Sequence, residues 1–306
     1  MAMMQREQVS GIPSIRFLIP YFGQWPFWFD FFLEGCRRNP SIDWLLYTDC
    51  AIPASAPANV QFVSTSFSDY CALVSSRLGI DFQPRNAYKL CDIKPALGAV
   101  HVDDLQGYDF WAFGDIDVVY GDLRGYFTPE RLRSKDLFAT HSRRISGHLC
   151  LLRNTPLMRD AFRLIPDWQR RYEDQAHQAL DEGAFSRIFV RHKNWPEPLR
   201  AFVARFNAWS QRSEFVEAHS TYTLHEDGRR VVADSWFLHN GRLTNSEQGN
   251  LELPYLHFMM WKNEQWKGVS ADALIGPYEL HLADSWQVGA QGWRPWPVGE
   301  VMNETR

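Results

Sequence analysis

Apolar residues along this chain come in short runs broken by Pro, Gly and Asn. Residues 15–20 form one continuous run ending in Pro20-Tyr21-Phe22-Gly23, which reads as a buried first strand breaking into a loop. Pro26 opens a helical pattern reaching about Arg38, and Asn39-Pro40 closes it. Residues 43–48 predict a second strand, followed by Asp49 and a Pro/Ala-rich loop, and residues 60–64 alternate into a third. Ser66 or Ser68 can cap a helix that reaches Leu78, where Gly79 supplies the stop. This strand-helix-strand-strand-helix order predicts an α/β fold: a mixed, mainly parallel sheet flanked by helices.

Further along, residues 86–101 carry a helical pattern and residues 110–113 form a central strand. Two more strands are expected at 136–140 and 148–152, then a helical region at 156–165, 167–180 and 181–191. Beyond Trp195 the pattern becomes irregular, with a turn expected at Glu226-Asp227-Gly228-Arg229, a polar loop at 245–250 and an apolar stretch at 255–261. The last forty residues hold Trp286, Trp293 and Trp296 without a usable period. The expected organisation is one domain over residues 1–265 and a C-terminal extension, 266–306, packed on it.

Composition narrows the class. Hydrophobic residues make up 45% and charged residues 22% of 306, enough for a substantial core and against disorder. A net charge of −4 argues against a general nucleic-acid binder. Five widely spaced cysteines offer no C-x-x-C pair, which fits a reducing, cytoplasmic setting. No stretch has the roughly 18 apolar residues needed to span a membrane, and the first residues lack a signal peptide's apolar core. Thirteen Trp, eleven Tyr and twenty-one Phe leave two explanations, an aromatic core or platforms for sugar rings and nucleobases. Trp25, Phe27, Trp28, Phe31 and Phe32, followed by Arg37 and Arg38, read either as a first helix packed on a sheet or as peripheral contact with the inner face of a membrane.

The chemistry concentrates at Asp115-Ile116-Asp117, directly after the aromatic strand. In an extended chain, residues i and i+2 point to one side, so both carboxylates can face one hard cation while Ile116 turns into the core. A divalent ion held there can bridge two phosphates of a nucleotide-sugar. Phosphate-loop, dinucleotide, zincin and esterase motifs are absent. Two carboxylates so close in sequence cannot flank a scissile glycosidic bond from opposite sides.

Taken in order, Ile19-Pro20-Tyr21-Phe22-Gly23-Gln24-Trp25-Pro26, Leu46-Tyr47-Thr48-Asp49, Tyr88 to Pro95, Phe110 to Asp117, Ser146-Gly147-His148 and Tyr255-Leu256-His257-Phe258 resemble bacterial glycosyltransferases of the GT-A fold, Rossmann-like enzymes carrying a DxD motif. The likeness is to an uncharacterised family associated with cell-surface polysaccharide biosynthesis, and it spans about residues 15–262. It implies a metal site of Asp115, Asp117 and His257, holding manganese or magnesium, with a nucleoside diphosphate sugar, UDP-linked, as donor. It also implies donor contacts from Pro20, Tyr21, Thr48, Asp49, Lys89, Asp92, Lys94, Asp115, Ile116, Gly147 and Lys262. Asp181, Glu182 and His148 become the catalytic candidates, acting on the donor sugar or on the acceptor hydroxyl of a glycan or glycolipid. His257 with Lys262 points to retention of configuration, whereas a base at Asp181 or Glu182 points to inversion.

Each position also has a plainer explanation. Lys89 and Asp92, three apart on a helix, can form a local salt bridge, while Lys94, five away from Lys89, faces elsewhere. Thr48-Asp49 can be a strand-ending turn, Gly147 a hairpin glycine, Asp181-Glu182 a helix start, His257 a packed core histidine and Lys262 a surface lysine. Two other functions stay open at this level: a silent glycan-binding module, and a metal-dependent sugar-phosphate phosphohydrolase with Asp115 as nucleophile.

Overall fold

The structure, a computed structural model, describes residues 11–224, 229–276 and 279–296. In chain order the strands are β1 (Ile15–Pro20), β2 (Ile42–Thr48), β3 (Val60–Ser64), β4 (Phe110–Gly114), β5 (Val118–Tyr120), β6 (Leu137–Ala139), β7 (Leu149–Arg153) and β8 (Ser213–Phe215). They continue with β9 (Thr223–Leu224), β10 (Arg230–Val231), β11 (Ser235–His239), β12 (Arg242–Asn245), β13 (Tyr255–His257), β14 (Ser285–Gly289) and β15 (Gly292–Pro295). Glu226, Asp227 and Gly228 of the expected turn lie outside the described residues.

The chain folds as two compact units. The first takes the residues up to Trp25 together with Pro40–Ile116 and Phe127–Glu217; the second takes Pro26–Asn39, Asp117–Tyr126 and the residues from Ala218 on.

The first unit is built on a seven-stranded sheet in the order β3-β2-β1-β4-β7-β6-β8. β1 runs parallel to β2 and β4, β2 to β3 and β6 to β8; β7 alone is reversed, antiparallel to both its neighbours. The mainly parallel, helix-flanked sheet expected from the sequence is therefore present. Every residue of β4 is buried, which accounts for its uninterrupted apolar character. The helix Phe67–Leu78 is bounded as read: Ser66 Oγ accepts from Asp69 N at 3.0 Å, and Gly79 takes the left-handed conformation with φ 69°.

Other expectations changed. The single helix anticipated over 86–101 is instead two 3-10 turns, Ala87–Cys91 and Lys94–Ala96, followed by the short helix Leu97–Val100. Pro95 has no N–H to donate and clashes with a helical turn before it, which breaks a regular helix at this point. The region 156–191 likewise divides into short turns of helix, with Ile165-Pro166 and the left-handed Asp167 interrupting it.

In the second unit, β5 pairs antiparallel with β13, and β12-β11-β14-β15 form an antiparallel sheet. The helix Phe29–Arg37 lays its aromatic stripe into this unit's core. Phe31 stacks on Trp293 at 4.4 Å between ring centroids, and Phe32 lies 5.7 Å from Tyr120. Trp28 packs edge-on against Phe258, and Phe27 against Trp293. Phe31 and Phe32 are buried, while Trp25, Phe27 and Trp28 are half-buried. Much of the aromatic excess is core: Trp44 and Trp111 in the first unit and Trp236, Trp286 and Trp293 in the second are fully enclosed. Among the described residues no helix is long and apolar enough to cross a membrane.

Gly98 tests this packing. A Cβ there would lie 2.5–2.8 Å from the indole of the fully buried Trp111 on β4, so the ring or the backbone would have to shift. Gly98→Ala, which in an exposed helix stabilises by about 1 kcal/mol, is expected here to destabilise by about 1–3 kcal/mol through overpacking, measured as a lowered urea midpoint at unchanged slope.

Candidate active site

β4 ends at Gly114, at the carboxyl edge it shares with the parallel strands β1 and β2, the edge where open α/β sheets gather ligands. The loops leaving β1 and β2 are laced together there. Gly23 N donates to Asp49 Oδ1 at 2.8 Å, Tyr21 N to Tyr47 O at 2.9 Å, and the Trp25 indole to Ala51 O at 2.7 Å. Tyr21 stacks on Trp25, while Pro20 is half-buried at the end of its strand. Thr48 is buried and its hydroxyl accepts from Cys50 N at 3.1 Å, a strand-ending turn that leaves the exposed Asp49 at the rim.

Residues 115–117 form a bend, not the continuous strand behind the sequence argument. Ile116 is buried as expected. Each aspartate, however, is held by partners of its own unit, not by strand alternation.

In the first unit, Lys94 Nζ bonds the Asp115 carboxylate and donates to Gly147 O at 2.9 Å. Burial would lower the pKa of this ammonium, but the charges of Asp115, Cys91 and Asp181 and the hydrogen bond to Asp115 together outweigh burial and raise it, so Lys94 stays protonated. Asp115 N donates to His148 O at 3.4 Å, and His148 is itself buried. Gly147 is required by a close approach: a Cβ would meet Asp181 Oδ2 at 2.6 Å. Asp181 does not simply cap a helix start. It is buried within a wide turn of π-type helix, with Oδ1 accepting from Glu182 N at 2.8 Å, and burial pushes its carboxyl up to about 6 against the opposing charge of Lys94. Glu182 is engaged by Arg144 and lies 3.3 Å from Gly147 N.

Lys89 and Asp92 form the ion pair their spacing predicts, at 2.9 Å, but deep inside the unit and not at its surface. Lys89 also donates to Arg171 O and Ala176 O, and Asp92 accepts from Gln178 N and Leu180 N. His177 Nδ1 stands 3.3 Å from the same carboxylate. The pair thus pins residues 171–180, the stretch that delivers Asp181.

In the second unit, Asp117 sits immediately before β5 and His257 ends β13, where Val118 pairs with His257. That ladder brings His257 Nε2 to 3.6 Å from Asp117 Oδ1. One helical turn later, Lys262 on the helix Met259–Asn263 reaches Asp117 Oδ2 at 2.5 Å. His257 is held twice, by its N–H to Ser220 O at 2.8 Å and by a hydrogen bond between Nδ1 and the Thr221 hydroxyl at 2.9 Å. The hydrogen bond between Nδ1 and Thr221 fixes the ring with Nε2 directed at Asp117, the orientation from which a neutral imidazole could ligate a metal in place of pairing with the carboxylate. Burial alone would raise the Asp117 pKa; the charges and hydrogen bonds of His257 and Lys262 reverse this and hold it well below the usual carboxylate range. A carboxylate with a lowered pKa beside an oriented imidazole is a donor set suited to manganese or a similar divalent ion.

Sequence reasoning did not find Arg144, His177, Ser220 or Thr221. Thr221 lies 36 residues from the imidazole it orients, and no local pattern marks it.

The Asp181 environment has a measurable consequence. Its carboxyl binds a proton more tightly in the fold, at about 6, than at its ordinary 3.8, so its contribution to stability is present at low pH and is lost as pH rises through that interval. Asp181→Asn, which preserves the Oδ1 acceptor, is expected to gain stability over wild type above pH 6, on the order of 3 kcal/mol, and to match it near pH 4. Paired urea denaturation curves across this range check the sign.

No curated protein matches this chain. Among solved structures it is similar to the galactosyltransferase LgtC in complex with donor and acceptor sugar analogs, at 13% identity over 70% of this chain and 90% of that one, TM-score 0.35. It is also similar to mouse xyloside xylosyltransferase 1, at 9% identity over 70% and 88%, TM-score 0.42, and to the glycosyltransferase GlyE of Streptococcus pneumoniae TIGR4, at 11% over 69% and 46%, TM-score 0.30. Likenesses this remote carry no chemistry with them. A family model does match, over residues 17–275, and by it the chain belongs to the family of unknown function DUF6625.

Proposed function

We propose that the protein is a metal-dependent glycosyltransferase that moves a hexose from a nucleoside diphosphate sugar, UDP-linked, to a hydroxyl of a surface glycan or glycolipid precursor. The observation that carries this reading is the buried Asp117 carboxylate, kept ionised between the imidazole of His257 and the ammonium of Lys262. Such a group is costly to maintain and serves no packing purpose. Asp117 and His257, with Asp115 two residues upstream, are the proposed ligands; a divalent ion bound by them would supply positive charge where negative charge develops on a departing diphosphate.

The chain's own groups then take defined parts. Lys262 is the proposed diphosphate contact, exchanging the Asp117 carboxylate for phosphate oxygen. Lys94 fixes the Asp115 carboxylate, and Lys89 with Asp92 positions the stretch leading to Asp181. The laced loops at Tyr21 and Asp49 would receive the nucleotide, and His148 and Gly147 the sugar. Glu182 is paired with Arg144, and Asp181 is buried with its Oδ1 held by Glu182 N, which suits both to ordering the donor sugar. With Lys262 beside His257 at the diphosphate, our reading is retention.

A thermal-shift panel of UDP, GDP, CDP and dTDP, each with manganese or with chelator, tests the reading. UDP with manganese is expected to stabilise wild type by about 2.7 kcal/mol at a hundredfold excess over Kd, and Asp117→Ala to abolish the shift. A nucleotide response that is the same in chelator, or sugar binding without any nucleotide response, would contradict it.

A further inference from the structure

The helix Glu197–Ala204 buries none of its side chains. Around it, Trp195, Leu199, Phe202 and Phe206 recur at i, i+4, i+7 and i+11, the spacing that usually marks the face a helix turns to a core. Here that stripe faces outward, its members 44%, 52%, 58% and 78% exposed. Phe202 and Phe206 touch edge to face at 5.4 Å, and just before the helix Trp195 stacks on His192 at 4.1 Å, so the segment carries two exposed ring pairs. Eight residues fall short of the roughly 12–15 at which an isolated helix holds in water, and burial normally supplies the difference. The side towards the body of its unit lies over a cleft of about 210 Å³, bordered by Phe189, Val190, Ala201, Ala204 and Phe215. The helix is thus loosely seated on one side and apolar on the other.

Charge identifies what covers it. Residues 191–206 hold four basic side chains, Arg191, Lys193, Arg200 and Arg205, against the single carboxylate Glu197, in a chain whose net charge is −4. Arg200 pairs with Glu197, while Arg191, which also borders the cleft, Lys193 and Arg205 are exposed in the same segment. Two such patches on two copies of this chain would repel each other. An apolar stripe flanked by unpaired cations matches an anionic bilayer surface, where aromatic and leucine side chains enter the acyl boundary and basic groups meet phosphate.

We infer that residues 191–206 are a membrane-docking element, seating Trp195, Leu199, Phe202 and Phe206 in the interface of an anionic bilayer with Arg191, Lys193 and Arg205 at the headgroups. The inference does not depend on the transfer chemistry proposed above.

Co-sedimentation of the full chain with phosphatidylcholine vesicles, with and without phosphatidylglycerol, tests it. Wild type is expected to bind the anionic vesicles and to release them at high salt. The combined variant Leu199→Ser, Phe202→Ser, Phe206→Ser is expected to lose about tenfold or more in partitioning at an unchanged melting temperature, because these side chains contribute nothing to the core. Each of Arg191→Ala, Lys193→Ala and Arg205→Ala is expected to lose about fivefold. Failure of wild type to bind anionic vesicles, equal binding by the serine variant, or self-association in sedimentation velocity without vesicle binding would each overturn the inference.

Discussion

A carboxylate brought into a protein interior costs several kcal/mol unless other charges and hydrogen bonds replace its water. At Asp117 the replacement comes from His257 and Lys262, and the local structure of the second unit follows from the need to supply both. The short ladder between β5 and β13 aligns the aspartate with the histidine, and the single helical turn after β13 returns the lysine to the same carboxylate. Thr221 completes the arrangement by fixing the ring at Nδ1, and Ser220 by holding the His257 backbone. Two residues earlier in the chain, Asp115 is treated in the same manner by different means, through Lys94 in the first unit. The two aspartates therefore sit on either side of the point where the chain passes from one unit to the other, each with its charge answered locally.

That arrangement is organised before any ligand arrives. Where dipoles and charges are already oriented, no reorganisation is needed as charge develops in a reaction, and this is the usual source of the largest catalytic contribution. The first unit adds a second level of support. Lys89 and Asp92 take no part in a surface salt bridge; their buried pair anchors residues 171–180, so that Asp181 reaches Gly147 closely enough to exclude any side chain there.

Local signals in the sequence were the readable ones. β1, β2, β3 and β4 announce themselves as apolar runs, and Ser66 and Gly79 mark their helix because capping depends on the immediate neighbours alone. The spacing of Lys89 and Asp92 implied their contact but not its depth. The helix expected across 86–101 failed because Pro95 overrides a weak helical pattern. β11 and β14 were missed for another reason. Trp236 and Leu238, like Trp286 and Val288, alternate inward, but Phe237 on the opposite face and the shortness of these strands hide the period of two. The roles of Ser220, Thr221 and Arg144 rest on contacts between residues far apart in the chain, which no periodicity encodes. The order of the pieces from Pro20 through His257 carries the resemblance, which no single piece would.

The central claim is that Asp117 and His257 together receive a divalent ion. Electron spin-echo spectroscopy of the protein loaded with manganese and UDP addresses it directly, because an imidazole ligand modulates the manganese echo through its nitrogen. The account predicts one tightly held ion whose echo shows a single imidazole nitrogen, with that modulation lost in His257→Ala. Manganese held without nitrogen modulation, or with modulation that survives the substitution, would contradict it.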